Sequence, residues 1–132
     1  MASNDYIRAR RLGGKAFRQA VAEGRYPYLP VLSEIIPQWQ QLKQVHVGVC
    51  EVPTRLMVGT LTSSRTEAFA DNFMPLLPQE SEFAIKWQHV LEYQSDQGIE
   101  EAVKVYEFMG RFYAAEGNKR ISVFRYLDAP SI

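Results

Sequence analysis

A single cysteine, Cys50, rules out a disulfide within these 132 residues. With no partner motif nearby it reads as a small buried hydrophobe rather than a nucleophile. Histidine is almost as scarce. His46 and His89 have no Cys or carboxylate at ligand spacing, so a metal centre is not expected. No run approaches the ~18 apolar residues of a spanning helix, and no apolar stretch follows Met1 as a leader would require. Together with the cysteine usage, this points to a reducing, cytoplasmic setting and no membrane. Net charge is zero. The chain therefore lacks the basic excess with which a dedicated DNA binder replaces counterions on the phosphate backbone.

The zero conceals an uneven distribution. Residues 1–26 hold six basic and two acidic groups, residues 27–117 six and twelve, and residues 118–132 three and one. Arg8, Arg10, Arg11, Lys15 and Arg18 thus crowd the N-terminal segment. They form either a solvated helix face or a surface for DNA or an acidic protein.

Periodicity predicts a mixed α+β chain, with an N-terminal helical arm over 1–40 and a small-sheet domain over 41–132. Residues 4–23 read as a helix capped by Asn4 or Asp5, with Ile7, Leu12, Ala16, Phe17, Ala20 and Val21 as its apolar stripe. Gly13 and Gly14 should weaken it by roughly 1 kcal/mol each. Pro27 and Pro30 break the helix, and a short helix fits 31–36. Val45, Val47 and Val49 alternate with mostly polar residues, which predicts a strand over 42–52. Leu56 to Val58 continues it briefly. Phe69, Phe73 and Leu76 predict a helix over 65–75, and Phe83, Trp87, Val90 and Leu91 another over 80–96. Residues 103–108 and 111–115 alternate about Met109-Gly110, the pattern of a hairpin with a type I′ turn. A helix over 100–115 is the competing reading. Tyr26, Tyr28, Trp39 and Trp87 read as packing aromatics rather than base-stacking platforms.

The informative segment is Glu116-Gly117-Asn118-Lys119-Arg120. A strand ends, glycine turns the chain, and a helix begins with Asn118 as its predicted cap. Its first turn holds two cations. A helix N-terminus already carries about half a positive charge, so each cation there costs roughly 0.3–1 kcal/mol. An anion bound at that end removes the conflict, because amide N–H groups, dipole and cations would all face it. The alternative is that Glu116 and neighbouring carboxylates pair with Lys119 and Arg120 on a solvated surface.

Residues 98–107, then Gly110-Arg111-Phe112-Tyr113-Ala114-Ala115-Glu116-Gly117-Asn118-Lys119-Arg120, then Ile121 to Leu127, resemble the signature of ParB/sulfiredoxin-like domains. Glu51-Val52-Pro53 with Leu56 and Val58, followed by Arg65 and Phe69, resembles that family's first strand and arginine loop. Residues 25–30, 72–77 and 116–120 also resemble the N-terminal domain of large bacterial proteins. Those proteins continue into a basic-membrane-protein (nucleoside-binding) region. The resemblance implies a ParB/sulfiredoxin-like fold that binds a nucleoside triphosphate with Mg2+ through Gly117, Asn118, Lys119, Arg120 and Arg65. It also implies a possible catalytic role for Glu116, as in a kinase or nucleotide hydrolase of this fold. Asn118 stands in the motif without a cysteine near it, which argues against sulfinic acid reduction. Ala102 replaces the proline that precedes the family's second strand.

These expectations rank as follows: a nucleotide- or phosphate-binding regulatory domain first, an enzyme using Glu116 second, a DNA-binding or protein-interaction module third.

Overall fold

The structure is a computed structural model and describes residues 2–62, 66–97 and 102–132. Helix α1 spans Ala2–Ala22, one turn longer at its start than the capping signals suggest. Its buried face follows the predicted stripe only in part. Tyr6, Ala9, Gly13 and Ala20 point inward, while Leu12 and Val21 are about half exposed. Small residues decide the face, because they let the helix axis approach its neighbours closely. At Gly13 an ideal Cβ would lie 2.3 Å from the Pro75 carbonyl oxygen. The glycine expected to weaken the helix is therefore what seats it.

This reverses the usual sign of a helix-interior substitution. Gly→Ala in mid-helix normally stabilises by roughly 0.5–1 kcal/mol. Gly13→Ala should instead destabilise by about 1–3 kcal/mol, because the obstacle is backbone that cannot rotate aside. Gly14 faces only the Arg18 guanidinium, which can move. Gly14→Ala should keep the ordinary gain. Urea unfolding of the two variants checks this directly.

After Gly24, residues 25–31 run extended across the sheet, and α2 covers Leu32–Ile35. The predicted strand over 42–52 is absent. Residues 43–48 have no regular pairing, and Val45, Val47 and Val49 are 73%, 83% and 89% exposed. Alternation offers a strand face, but no neighbouring strand is there to pair with it. The strand that does form is β1, Met57–Thr60. The predicted helix over 65–75 is also absent. A single 3-10 turn spans Thr66–Ala68, and Phe69 and Pro75 then pair across a tight loop. Asn72 closes that loop by accepting the Met74 N–H at 3.0 Å, and Phe73 takes a φ of 68°. Both phenylalanines are buried, so the helical spacing was real as hydrophobicity but not as backbone.

Helix α3 spans Glu82–Gln97. Ser81 precedes it, and its hydroxyl accepts the Ala84 N–H at 3.1 Å, an N-cap geometry. Phe83, Ala84, Trp87 and Leu91 are buried along its inner face. Strands β2, Lys104–Phe108, and β3, Arg111–Glu116, form the predicted hairpin. Met109 and Gly110 have φ of 55° and 81°, as a type I′ turn requires. Helix α4 spans Asn118–Tyr126.

The sheet order is β1-β3-β2, with β1 parallel and β2 antiparallel to β3. Among the described residues the fold is thus α+β, with four α-helices and one small mixed sheet. One face of the sheet meets the main core of Tyr6, Ala9, Phe69, Phe73, Trp87 and Ile121. The Trp87 indole N–H donates to the buried Ser122 hydroxyl at 2.8 Å, tying α3 to α4. The Tyr126 hydroxyl donates to Asp5 at 2.8 Å and accepts from Arg8 at 3.1 Å, tying α4 to α1. The N-terminal helix therefore belongs to the same core as the sheet. The other face carries Tyr113, packed with Leu32, Leu61 and Trp39. No described helix is long and apolar enough to cross a membrane.

Candidate functional site

The parallel pairing of β1 and β3 brings their C-terminal ends to one edge, with Thr60 opposite Ala114. At such an edge strands hand over to loops and helix starts, and ligands of α/β sheets commonly sit there. Beyond Ala115 the chain turns through Gly117 into α4.

Gly117 itself occupies the cap position, with φ 92° and ψ 25°, and no side chain caps the helix. Asn118 is the first helical residue, not the cap that the sequence suggested. The reason lies in Gly117's surroundings. Only glycine takes this left-handed conformation without strain, and an ideal Cβ there would lie 2.7 Å from Val103 Cγ1. The first helical hydrogen bond runs from the Ile121 N–H to the Gly117 carbonyl at 3.0 Å. The amides of Asn118, Lys119 and Arg120 precede it and lie outside the helical ladder.

A cavity of about 280 Å3 opens against this turn. Gly117, Asn118, Lys119 and Arg120 form one wall, and Thr60, Thr62 and Ala115 come from the strand ends. Phe69, Phe83 and Val90 make the apolar side. Lys119 Nζ lies 5.1 Å from the Phe83 ring centroid, folded over that wall. The position of an ideal Gly117 Cβ is 3.4 Å from an Arg120 guanidinium nitrogen, so this side chain curls back over the turn. The two cations thus share one cavity. The Asn118 side-chain oxygen is buried and has no hydrogen-bond partner among the described residues. An amide in that position lacks a donor opposite it, which normally costs about 1–3 kcal/mol.

Charge sets this helix start apart. The first turns of α1, α2 and α3 hold Asp5, Glu34 and Glu82, whereas α4 has no acidic residue in its first turn. Glu116 lies at the end of β3, opposite Lys104, and is exposed. It is not among the residues that line the cavity, and no other carboxylate among the described residues is. Arg65, the other predicted contact, lies outside the described residues.

Of the predicted residues, Gly117, Asn118, Lys119 and Arg120 line the cavity, and Glu116 is not among its lining residues. Sequence inspection missed Thr60, Thr62, Phe69, Phe83 and Val90. They reach the cavity from two other chain segments, and no local pattern marks them. Of the predicted packing aromatics, Tyr26 is 56% exposed, whereas the two tryptophans pack. Trp87 is fully buried, and Trp39 meets Tyr106 edge-on at 6.0 Å. No group of three or more His, Cys, Asp or Glu side chains suited to a metal ion occurs among the described residues. Neither a family model, nor a curated protein, nor a solved structure matches this chain.

Proposed function

We propose that this chain is a nucleotide- or phosphate-binding regulatory domain of ParB/sulfiredoxin-like type, which holds its ligand at the start of α4. The carrying observation is the cavity at the start of α4 that Gly117, Asn118, Lys119 and Arg120 line together. Cations and amide N–H groups favour an anion.

Size refines this. Pockets for small molecules usually measure about 300–1,000 Å3. A cavity of about 280 Å3 takes phosphate groups and leaves the remainder of a nucleotide across its open side. The resemblance of residues 98–127 to ParB/sulfiredoxin-like domains is what names nucleoside triphosphates as the first candidates. The reading is a binding module without strong catalysis. Mg2+ would arrive on the ligand's own phosphate oxygens.

A thermal-shift screen tests this with CTP, ATP, GTP, nucleosides and inorganic phosphate, each with and without Mg2+. A ligand at 100 times its dissociation constant stabilises by roughly 2.7 kcal/mol, a shift of several degrees. At least one triphosphate should shift the melting temperature, and nucleosides should not. A flat response to every phosphate compound rejects the proposal.

A further inference from the structure

A second cavity of about 370 Å3 lies along α1 and shares no lining residue with the first. It runs between one face of the helix and the chain that follows Pro75. Arg10, Arg11 and Arg18 line it, with Ile7 and Leu76 as apolar floor. The close seating of α1 on Pro75 through Gly13 creates this groove. Gly14 keeps it shallow, since the Arg18 guanidinium lies across the space a Gly14 side chain would fill.

The arginines differ from the other cations of the N-terminal segment. Arg8 is paired with Asp5 at 2.7 Å, and Arg25 with Glu23 and Asp71 at 2.8 Å each. Arg11 and Arg18 are exposed and have no carboxylate partner among the described residues. Arg10 donates only to the Leu76 carbonyl at 3.2 Å. No acidic side chain lines the groove. From Ile7 to Arg18 it spans about three helical turns, roughly 16 Å.

We infer that this groove is a docking site for an acidic, partly apolar peptide segment of a partner protein. Guanidinium forks match carboxylates bidentately, and Ile7 and Leu76 offer contacts for apolar side chains between them. A phosphodiester strand would use the arginines but not the apolar floor. It would also meet a chain whose net charge is zero and whose residues 27–117 carry twice as many acidic as basic groups.

The test uses the whole chain and three labelled probes in fluorescence anisotropy: a short peptide alternating glutamate and leucine, the same peptide with glutamine for glutamate, and a short DNA duplex. The glutamate peptide should bind the parent at least about tenfold more tightly than the glutamine peptide or the duplex, and Arg11→Gln/Arg18→Gln should lose about tenfold. Both side chains are exposed and make no described bond, so the variant should fold, which far-UV circular dichroism and its melting curve check. Tighter binding of the duplex, with a steep salt dependence, overturns the inference in favour of nucleic acid. Equal binding by the variant overturns it outright. Sedimentation that shows self-association lost in the variant overturns it in favour of a second copy of this chain.

Discussion

Replacing Lys119 and Arg120 together by alanine should lower the affinity for the bound triphosphate by about 100-fold or more, while the ligand-free protein keeps its stability within ~1 kcal/mol. Each charge-assisted hydrogen bond to a phosphate contributes roughly 1.5–3 kcal/mol. Losing two therefore costs about 3–6 kcal/mol, or two to four powers of ten. In the free protein the same cations oppose the helix dipole by roughly 0.3–1 kcal/mol each. Against that, Lys119 loses its place over the Phe83 ring, worth about 0.5–1 kcal/mol. The opposing effects nearly cancel. Calorimetric titration reads the affinity and urea unfolding reads the stability. A variant that unfolds more than about 2 kcal/mol too easily, yet still binds, would make the two cations structural and the proposed ligand wrong.

The second large effect belongs to Gly117. Gly117→Ala places a Cβ on a left-handed residue, at a cost of roughly 1–2 kcal/mol. It also drives that carbon to 2.7 Å from Val103 Cγ1 and 3.1 Å from Val103 Cβ. Val103 is β-branched and stiff, so it gives way poorly, and the crowding adds about 1–3 kcal/mol. The total, about 2–5 kcal/mol, is a large share of a typical domain's 5–15 kcal/mol. The two parts are separable. Val103→Ala in the same chain should relieve the crowding and leave the conformational strain. The double variant should therefore be more stable than the sum of the single losses, by about 1 kcal/mol or more. Strict additivity in thermal or urea unfolding would show that Val103 does not press on the turn.

The hairpin and the phosphate turn were legible because both rest on local rules. Met109-Gly110 announces positive φ at two successive residues, and Gly117 followed by two cations announces a helix start of unusual charge. The cap was misplaced by one residue for a tertiary reason: Val103, fourteen residues upstream, leaves room only for glycine at 117. The two errors of secondary structure share a cause. Val45, Val47 and Val49 have strand periodicity, and Phe69 and Phe73 have helical spacing. Periodicity records which residues are apolar, and not whether a neighbouring strand exists or whether Asn72 closes a turn. The buried face of α1 was misread for a similar reason. Leu12 and Val21 of its stripe are exposed, and the close contact is made through Ala9 and Gly13. Thr60, Thr62 and Phe83 stand far from the turn in sequence and join it only through the parallel pairing of β1 and the packing of α3.

The most direct test of the account follows the backbone amides themselves. In 1H–15N spectra of the labelled chain titrated with a triphosphate and Mg2+, the Asn118, Lys119 and Arg120 signals should move furthest, joined by Thr60 and Thr62. If the ligand binds while those amides stay still, or if the shifts gather on Arg10, Arg11 and Arg18 instead, the start of α4 is not where the anion sits.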